Sequence, residues 1–215
     1  MFTGIIEGLG TLQRVQPMGL GRRLTMLADF DLTDTRVGDS IAVNGVCLTA
    51  VSLNGRRFEA DVSPETLRRS TFAAAMPGQR VNLERALQLS GRLDGHLVSG
   101  HIDGMATLSR RQNQGNAIVI GFSVSSALSD FMIEKGSVAV DGVSLTINVC
   151  GPDYFEVAII PHTAALTTVG LKQVGQAVNI ETDMIGKYVA RFVGRAKGAT
   201  SSGIDMDVLR KNGFI

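Results

Sequence analysis

Ser40–Thr49 reads SIAVNGVCLT, and Ser137–Thr146 reads SVAVDGVSLT. Each is a pair of β-branched runs joined by Asn44-Gly45 or Asp141-Gly142, residue pairs suited to the left-handed positions of a two-residue hairpin turn. Seven of the ten positions are identical at an offset of 97. The register continues outward: Phe58-Glu59 matches Phe155-Glu156, Pro64 and Thr66 match Pro161 and Thr163, and Gly78-Gln79 matches Gly175-Gln176. Val81-Asn82 then matches Val178-Asn179, and Glu84 matches Glu181. Upstream, Met1–Leu12 (MFTGIIEGLGTL) and Leu97–Leu108 (LVSGHIDGMATL) share five of twelve positions. So long a period marks two tandem domains and not a solenoid. The boundary falls near residues 90–97.

Within each copy the pattern is mostly strand. In the first copy the further strands are Ile5–Val15, Arg22–Ala28, Arg57–Val62 and Gln79–Arg85. Their counterparts are His101–Arg110, Ile118–Val124, Tyr154–Ile160 and Ala177–Thr182. Thr66–Phe72 and Ala127–Lys135 read as short helices. Six short strands per copy predict an all-β fold of two tandem six-stranded Greek-key barrels, closure removing exposed edges. After the second copy, Ile185, Tyr188, Val189, Phe192 and Val193 fall at helical spacing, an apolar stripe with Lys187, Arg191 and Arg195 off it. This helix either packs on its own barrel or serves assembly. The resulting division is 1–96, 97–183, an oligomerisation helix at 184–196, and a tail at 197–215 whose last thirteen residues read as loose.

Composition narrows the function. The chain has 215 residues with a net charge of +1, so general nucleic-acid binding is not expected. No apolar run approaches the ~18 residues of a membrane span. Met1–Gly8 carries Glu7 and no basic residue, unlike a signal peptide, and a cytoplasmic chain with reduced thiols is expected. Cys47 and Cys150 make no zinc spacing, and His96, His101 and His162 form no metal pattern. No phosphate-cradling loop and no Gly-x-Ser-x-Gly elbow is present. Instead, Cys47 and Thr49 share one strand face, and Ser144 and Thr146 repeat that face in the second copy. Gly4 and Gly100 also match, but Ile5 follows one and His101 the other, giving one copy a titratable group that the other lacks.

MFTGI at the start, the NG-x-CLT hairpin, GHLVSGH, KGS-x-x-x-DG-x-SLT and the closing amphipathic helix together resemble the riboflavin synthase family. The resemblance runs from Met1 to about Arg195. It implies two tandem barrels like those of flavin reductases, and a C-terminal helix joining three subunits into a homotrimer. It also implies conversion of two molecules of 6,7-dimethyl-8-ribityllumazine into riboflavin and 5-amino-6-ribitylaminouracil, with no cofactor and no metal. Lumazine synthase is a candidate associate. On this resemblance the first barrel's substrate site maps onto Phe2, Gly4-Ile5-Ile6, Cys47-Leu48-Thr49 and Asp61-Val62-Ser63-Pro64-Glu65-Thr66. The second maps onto Gly100-His101-Ile102, Lys135, Ser144-Leu145-Thr146 and Ala158-Ile159-Ile160-Pro161-His162-Thr163. Candidates for chemistry are His101 as base or proton shuttle, Ser144 as nucleophile or activator of water, Cys47 as its counterpart, and Thr146.

Two features depart from the family pattern: His162 stands where many members carry a carboxylate, and the chain continues past Lys197. The alternative reading is a non-catalytic lumazine or flavin antenna protein. Such relatives lose polar site residues in one barrel, whereas this chain keeps Cys47, Thr49, His101, Ser144 and Thr146. A flavoprotein reductase barrel would need a nicotinamide-binding domain, and no such domain is evident.

Overall fold

The two hairpin turns form in the left-handed region, with φ of 46° and 78° at Asn44 and Gly45 and 45° and 81° at Asp141 and Gly142. The tips of the two hairpins meet. A side chain on Gly45 would come within 2.7 Å of the Gly142 nitrogen, and one on Gly142 equally close to Gly45. Glycine is therefore required twice over, for the turn and for the approach. A computed structural model describes residues 1–198 and 206–213.

Around these hairpins, twelve strands close into two barrels. The first comprises β1 (Gly8–Met18), β2 (Gly21–Ala28), β3 (Ser40–Val43), β4 (Val46–Asn54), β5 (Arg57–Val62) and β6 (Arg80–Arg85). The second comprises β7 (Gly104–Gln114), β8 (Ala117–Ser123), β9 (Ser137–Val140), β10 (Val143–Cys150), β11 (Tyr154–Ile159) and β12 (Ala177–Thr182). The ring orders, β1-β2-β5-β4-β3-β6 and β7-β8-β11-β10-β9-β12, are the same Greek key. Leu12, Leu24, Met26, Ile41, Phe58 and Leu83 fill the first interior; Leu108, Ile120, Phe122, Ile147, Phe155 and Val157 fill the second. Each fully buried side chain of this size contributes about 1.5–3 kcal/mol. Cys47 and Cys150 are free thiols.

The barrels are joined by a reciprocal lattice. Asn82 Nδ2 donates to the Asp141 carbonyl at 2.8 Å, and Asn179 Nδ2 donates to the Asn44 carbonyl at 2.9 Å. Their side-chain oxygens accept from the Thr168 and Thr71 N–H groups, both at 2.7 Å. Each asparagine thus ties its own barrel to the hairpin tip of one barrel and to a helical turn beside it. Asp141 replaces Asn44 in this lattice and is wholly buried; burial pushes its carboxyl up, against the pull of the Lys172 ammonium at 3.3 Å.

The helices differ from expectation. The first copy has α1 (Pro64–Arg69), with Pro64 in its first turn and Ser63 capping the Thr66 N–H, followed by a 3₁₀ turn at Thr71–Ala74. In the second copy α2 (Ser126–Ser129) is one turn, not a helix to Lys135: the N–H groups of Phe131 and Met132 bond three residues back, to Leu128 and Ser129, and Lys135 stands at φ 65°. The longer helix there is α3 (Pro161–Leu166), again opened by a proline, and a second single turn, α4 (Thr168–Leu171), follows it. After β12 comes α5 (Met184–Gly198). Its stripe is left largely uncovered by the barrels: Ile185, Tyr188, Val189, Phe192 and Val193 are 49–64% exposed. None of the five is buried against its own barrel. Of the segment read as a loose tail, Met206–Lys211 forms a short helix, α6. Residues 212–213 form a turn after it, and 199–205 and 214–215 lie outside the described residues.

Candidate active site

In each barrel one seam is only partly zipped. The β4–β5 ladder runs from Ala50↔Ala60 to Asn54↔Arg57, leaving Cys47–Thr49 and Asp61–Val62 outside it. The β10–β11 ladder likewise starts at Ile147↔Val157, leaving Ser144–Thr146 and Ala158–Ile159 outside it. Those residues pair on their other sides, with β3 and β2 or with β9 and β8. The result is a slot between two strand edges, able to offer backbone donors and acceptors in one plane. Alternation along the strand then sorts the side chains. Cys47 and Ser144 are half-buried and Thr49 and Thr146 exposed on the outer face, while Leu48 and Leu145 point into the core.

Each slot is closed by a loop from the other half of the chain. The Cys47 N–H donates to the Gly100 carbonyl at 2.9 Å, and the Ser144 N–H donates to the Gly4 carbonyl at 2.8 Å. Both glycines have positive φ, 76° and 82°, and a side chain on either would strike Ser144 or Cys47 respectively. Ile6 packs against the second barrel's core and Ile102 against the first's. The grouping expected from chain order is therefore corrected. Gly4-Ile5-Ile6 belongs with Ser144, and Gly100-His101-Ile102 with Cys47. The physical cause is a two-stranded bridge, Phe2↔Val98, which pairs the two approaching segments and sends each across to its neighbour. Strand starts move accordingly, to Gly8 and Gly104 in place of Ile5 and His101.

Burial sorts which part of each expected site residue can border a slot. Phe2 is fully buried among Ala42, Val98 and Ala139, behind Cys47, and packs the junction without facing a slot. Leu48, Val62, Leu145 and Ile159 are core side chains, so only their backbones border the slots. Around the first slot, Asp61 is engaged by Arg23 at 2.7 and 2.8 Å, which holds its carboxyl below the usual range. Glu65 is similarly engaged by Arg69 and Arg68. Ser63, Pro64 and Thr66 form the opening turn of α1. Around the second slot, Ala158 and Ile160 are exposed, and Pro161, His162 and Thr163 open α3, with exposed His162 at the position of Glu65. Lys135 sits at φ 65° where the first copy has Gly38 at 97°, a conformation that costs a side-chain-bearing residue about 1–2 kcal/mol.

The histidines are the main surprise. His101 is exposed and opens on a cavity of 980 Å³ shared with Arg69, Lys187, Tyr188 and Arg191. It does not pair with Ser144. His96 does: its Nδ1 lies 2.7 Å from the Ser144 Oγ, and its backbone N–H donates to the Thr3 carbonyl at 3.1 Å. Burial holds the His96 imidazole below its ordinary value, partly opposed by Asp183 and Glu181. Its Nε2 is buried with no hydrogen-bond partner among the described residues. A neutral imidazole on a hydroxyl is a proton-transfer pair. Sequence reasoning passed over His96 because it makes no metal pattern. Its signal was its place in GHLVSGH, one residue after Gly95, whose backbone lies against Thr3 and Ser144.

The family model for the lumazine binding domain matches this chain twice, over residues 3–86 and 99–183. Riboflavin synthase of Bacillus subtilis (strain 168) is 42% identical over the full length of both chains. That of Photobacterium phosphoreum is 43% identical, also over all of both chains. The Mycobacterium tuberculosis (strain ATCC 25618 / H37Rv) enzyme is 44% identical, covering 90% of this chain and 98% of that one. Among solved structures, LumP complexed with 6,7-dimethyl-8-(1'-D-ribityl) lumazine superposes with a TM-score of 0.75 at 23% identity. LumP complexed with riboflavin gives 0.77 at 24%; each covers 85% of this chain and 99% of the other. At that identity the LumP structures establish the shared fold alone, whereas the full-length relatives establish kinship: this chain, with its two lumazine-binding domains in tandem, belongs to the riboflavin synthase family.

Proposed function

We propose that the chain is a transferase that dismutates 6,7-dimethyl-8-ribityllumazine, moving four carbons from one molecule to a second. The products are riboflavin and 5-amino-6-ribitylaminouracil. Together they contain every atom of the two substrates, so the reaction needs no external oxidant or reductant. The observation that carries the reading is the duplication of the slot. Each offers a flat seam of strand edge, an outward threonine (Thr49 or Thr146) and a nucleophile-type side chain, Cys47 or Ser144, at one strand position. A reaction between two copies of one substrate calls for two such sites.

The chemistry assigns roles. The acceptor must be attacked at its position 7, and Ser144, hydrogen-bonded to His96, is the candidate to attack or to activate water there. The donor's position-7 methyl must lose a proton into an anion delocalised over the ring; His101, on the loop that closes the first slot, is the candidate base. Lys135, whose backbone N–H donates to the Ile147 carbonyl where the β10–β11 ladder begins, is the candidate cation for the second slot. Alignment of two rings supplies much of the rate whichever base acts, because pairing two reactants removes a large entropic cost.

The two rings must meet, and the exposed stripe of α5 suggests how. Five apolar side chains in solvent call for a partner surface. A homotrimer joined through these helices, with head-to-tail contacts, would bring the first slot of one subunit to the second slot of its neighbour. The test is riboflavin formation from the lumazine alone, in buffer containing a chelator. Binding without turnover would favour a carrier instead. A chain ending at Asp183 is expected to lose the trimer by light scattering and most of its activity. A fully active truncated monomer would place both rings within one chain.

A further inference from the structure

Glu84 on β6 and Glu181 on β12 are 4% and 3% exposed. Neither makes an ion pair with a lysine or arginine among the described residues. Instead, each carboxylate accepts three hydrogen bonds from one short loop. Glu84 Oε1 accepts from the Thr3 N–H at 2.6 Å and the Thr3 hydroxyl at 2.7 Å, and its Oε2 from the Gly4 N–H at 3.0 Å. Glu181 repeats this with the Ser99 N–H at 2.6 Å, the Ser99 hydroxyl at 2.7 Å and the Gly100 N–H at 2.9 Å. The same two loops turn their glycine carbonyls toward the Ser144 and Cys47 N–H groups.

The connection is crossed. Glu84 is rooted in the first barrel, but the Gly4 carbonyl it orients closes the slot of the second. Glu181 is rooted in the second barrel, but its Gly100 carbonyl closes the slot of the first. Burying a carboxylate away from any cation is expensive, and here three donors offset the cost. Only a group with two acceptor atoms can take two consecutive backbone N–H groups and a hydroxyl at once. A glutamine in the same place would turn an NH₂ toward the glycine N–H and release it. We infer that Glu84 and Glu181 are crossed positioning residues, each setting the shape of the ligand slot in the opposite barrel. The inference rests on the two-slot reading above and deepens it: each slot is incomplete without a carboxylate from the other half of the chain.

The test uses the full chain, iodoacetamide as reagent and riboflavin as probe. With Cys150→Ser, alkylation of Cys47 reads the first slot. With Cys47→Ser, Cys150→Ser and Ser144→Cys together, alkylation at position 144 reads the second. Adding Glu84→Gln is expected to raise the riboflavin concentration for half-protection about tenfold at position 144, and by less than about twofold at position 47. Glu181→Gln is expected to do the reverse. A purely structural role would weaken both slots together, and an uncrossed one would weaken the slot of the carboxylate's own barrel; either result overturns the inference. If circular dichroism shows a Gln variant unfolded, Thr3→Val and Ser99→Ala decide the matter. Each removes one donor of three and should give a crossed weakening of about threefold. Absence of that crossed weakening would count against the inference equally. If riboflavin protects neither position in the parent chains, the two-slot reading itself falls.

Discussion

Replacing Asn179 with alanine removes two hydrogen bonds that join the barrels, without touching either slot. Asn179 is fully buried. Its Nδ2 donates to the Asn44 carbonyl at 2.9 Å, and its Oδ1 accepts from the Thr71 N–H at 2.7 Å. The alanine leaves both backbone groups without a partner, at about 1–3 kcal/mol for each one that stays dry. Asn44 is buried, whereas Thr71 is half-buried and open to water. The expected loss is therefore about 2–4 kcal/mol, below the sum of two dry groups. Asn82→Ala makes the mirror change, but the N–H it abandons belongs to Thr168, which is 2% exposed. Asn82→Ala should accordingly be the more damaging of the two. The assay is urea unfolding of the full chain, followed by circular dichroism and by tyrosine fluorescence. Coincident transitions would license a single free energy. Non-coincident transitions would show the barrels unfolding separately once the lattice is cut. A cost below about 0.5 kcal/mol for Asn179→Ala, or the opposite ranking, would refute the view that these asparagines hold the barrels together.

His96→Gln keeps a hydrogen-bonding group beside Ser144 but no titratable one; kcat is expected to fall by about a hundredfold or more, with KM little changed. Burial holds the folded His96 pKa below its unfolded value of about 6.5, so the unfolded chain binds more protons between the two values. Stability from this group is complete above that unfolded value and is lost as pH falls through the window, a slope that His96→Gln should flatten in urea titrations. Lys135→Gly relieves the left-handed backbone strain, offset by glycine's greater freedom when unfolded, and should stabilise by about 0.5–1 kcal/mol while lowering turnover. Unchanged turnover would make Lys135 a turn residue only. A fragment of residues 1–96 keeps all six strands of its barrel but loses both the loop that covers Cys47 and the surface that receives its own Gly4 loop. We expect it to fold and to pair with a second copy, each loop closing the other's slot; a stable monomer by light scattering would refute this.

The sequence by itself determined the duplication, the paired hairpins, the barrel class and the amphipathic stripe. Each of these is written in local order: alternation for a strand, Asn-Gly or Asp-Gly for a turn, helical spacing for the stripe. It also placed Cys47 beside Thr49 and Ser144 beside Thr146, because a strand's period fixes which neighbours share a face. Only the tertiary structure decided which loop closes which slot. Gly4 meets Ser144 and Gly100 meets Cys47 through contacts spanning more than half the chain in the first case, and no local pattern encodes such a partner. His96 became visible for the same reason, since nothing near it in sequence names Ser144 as its partner. The direction of the α5 stripe was likewise settled by packing: periodicity defines an apolar face, but which surface that face meets depends on where both barrels have already spent their own.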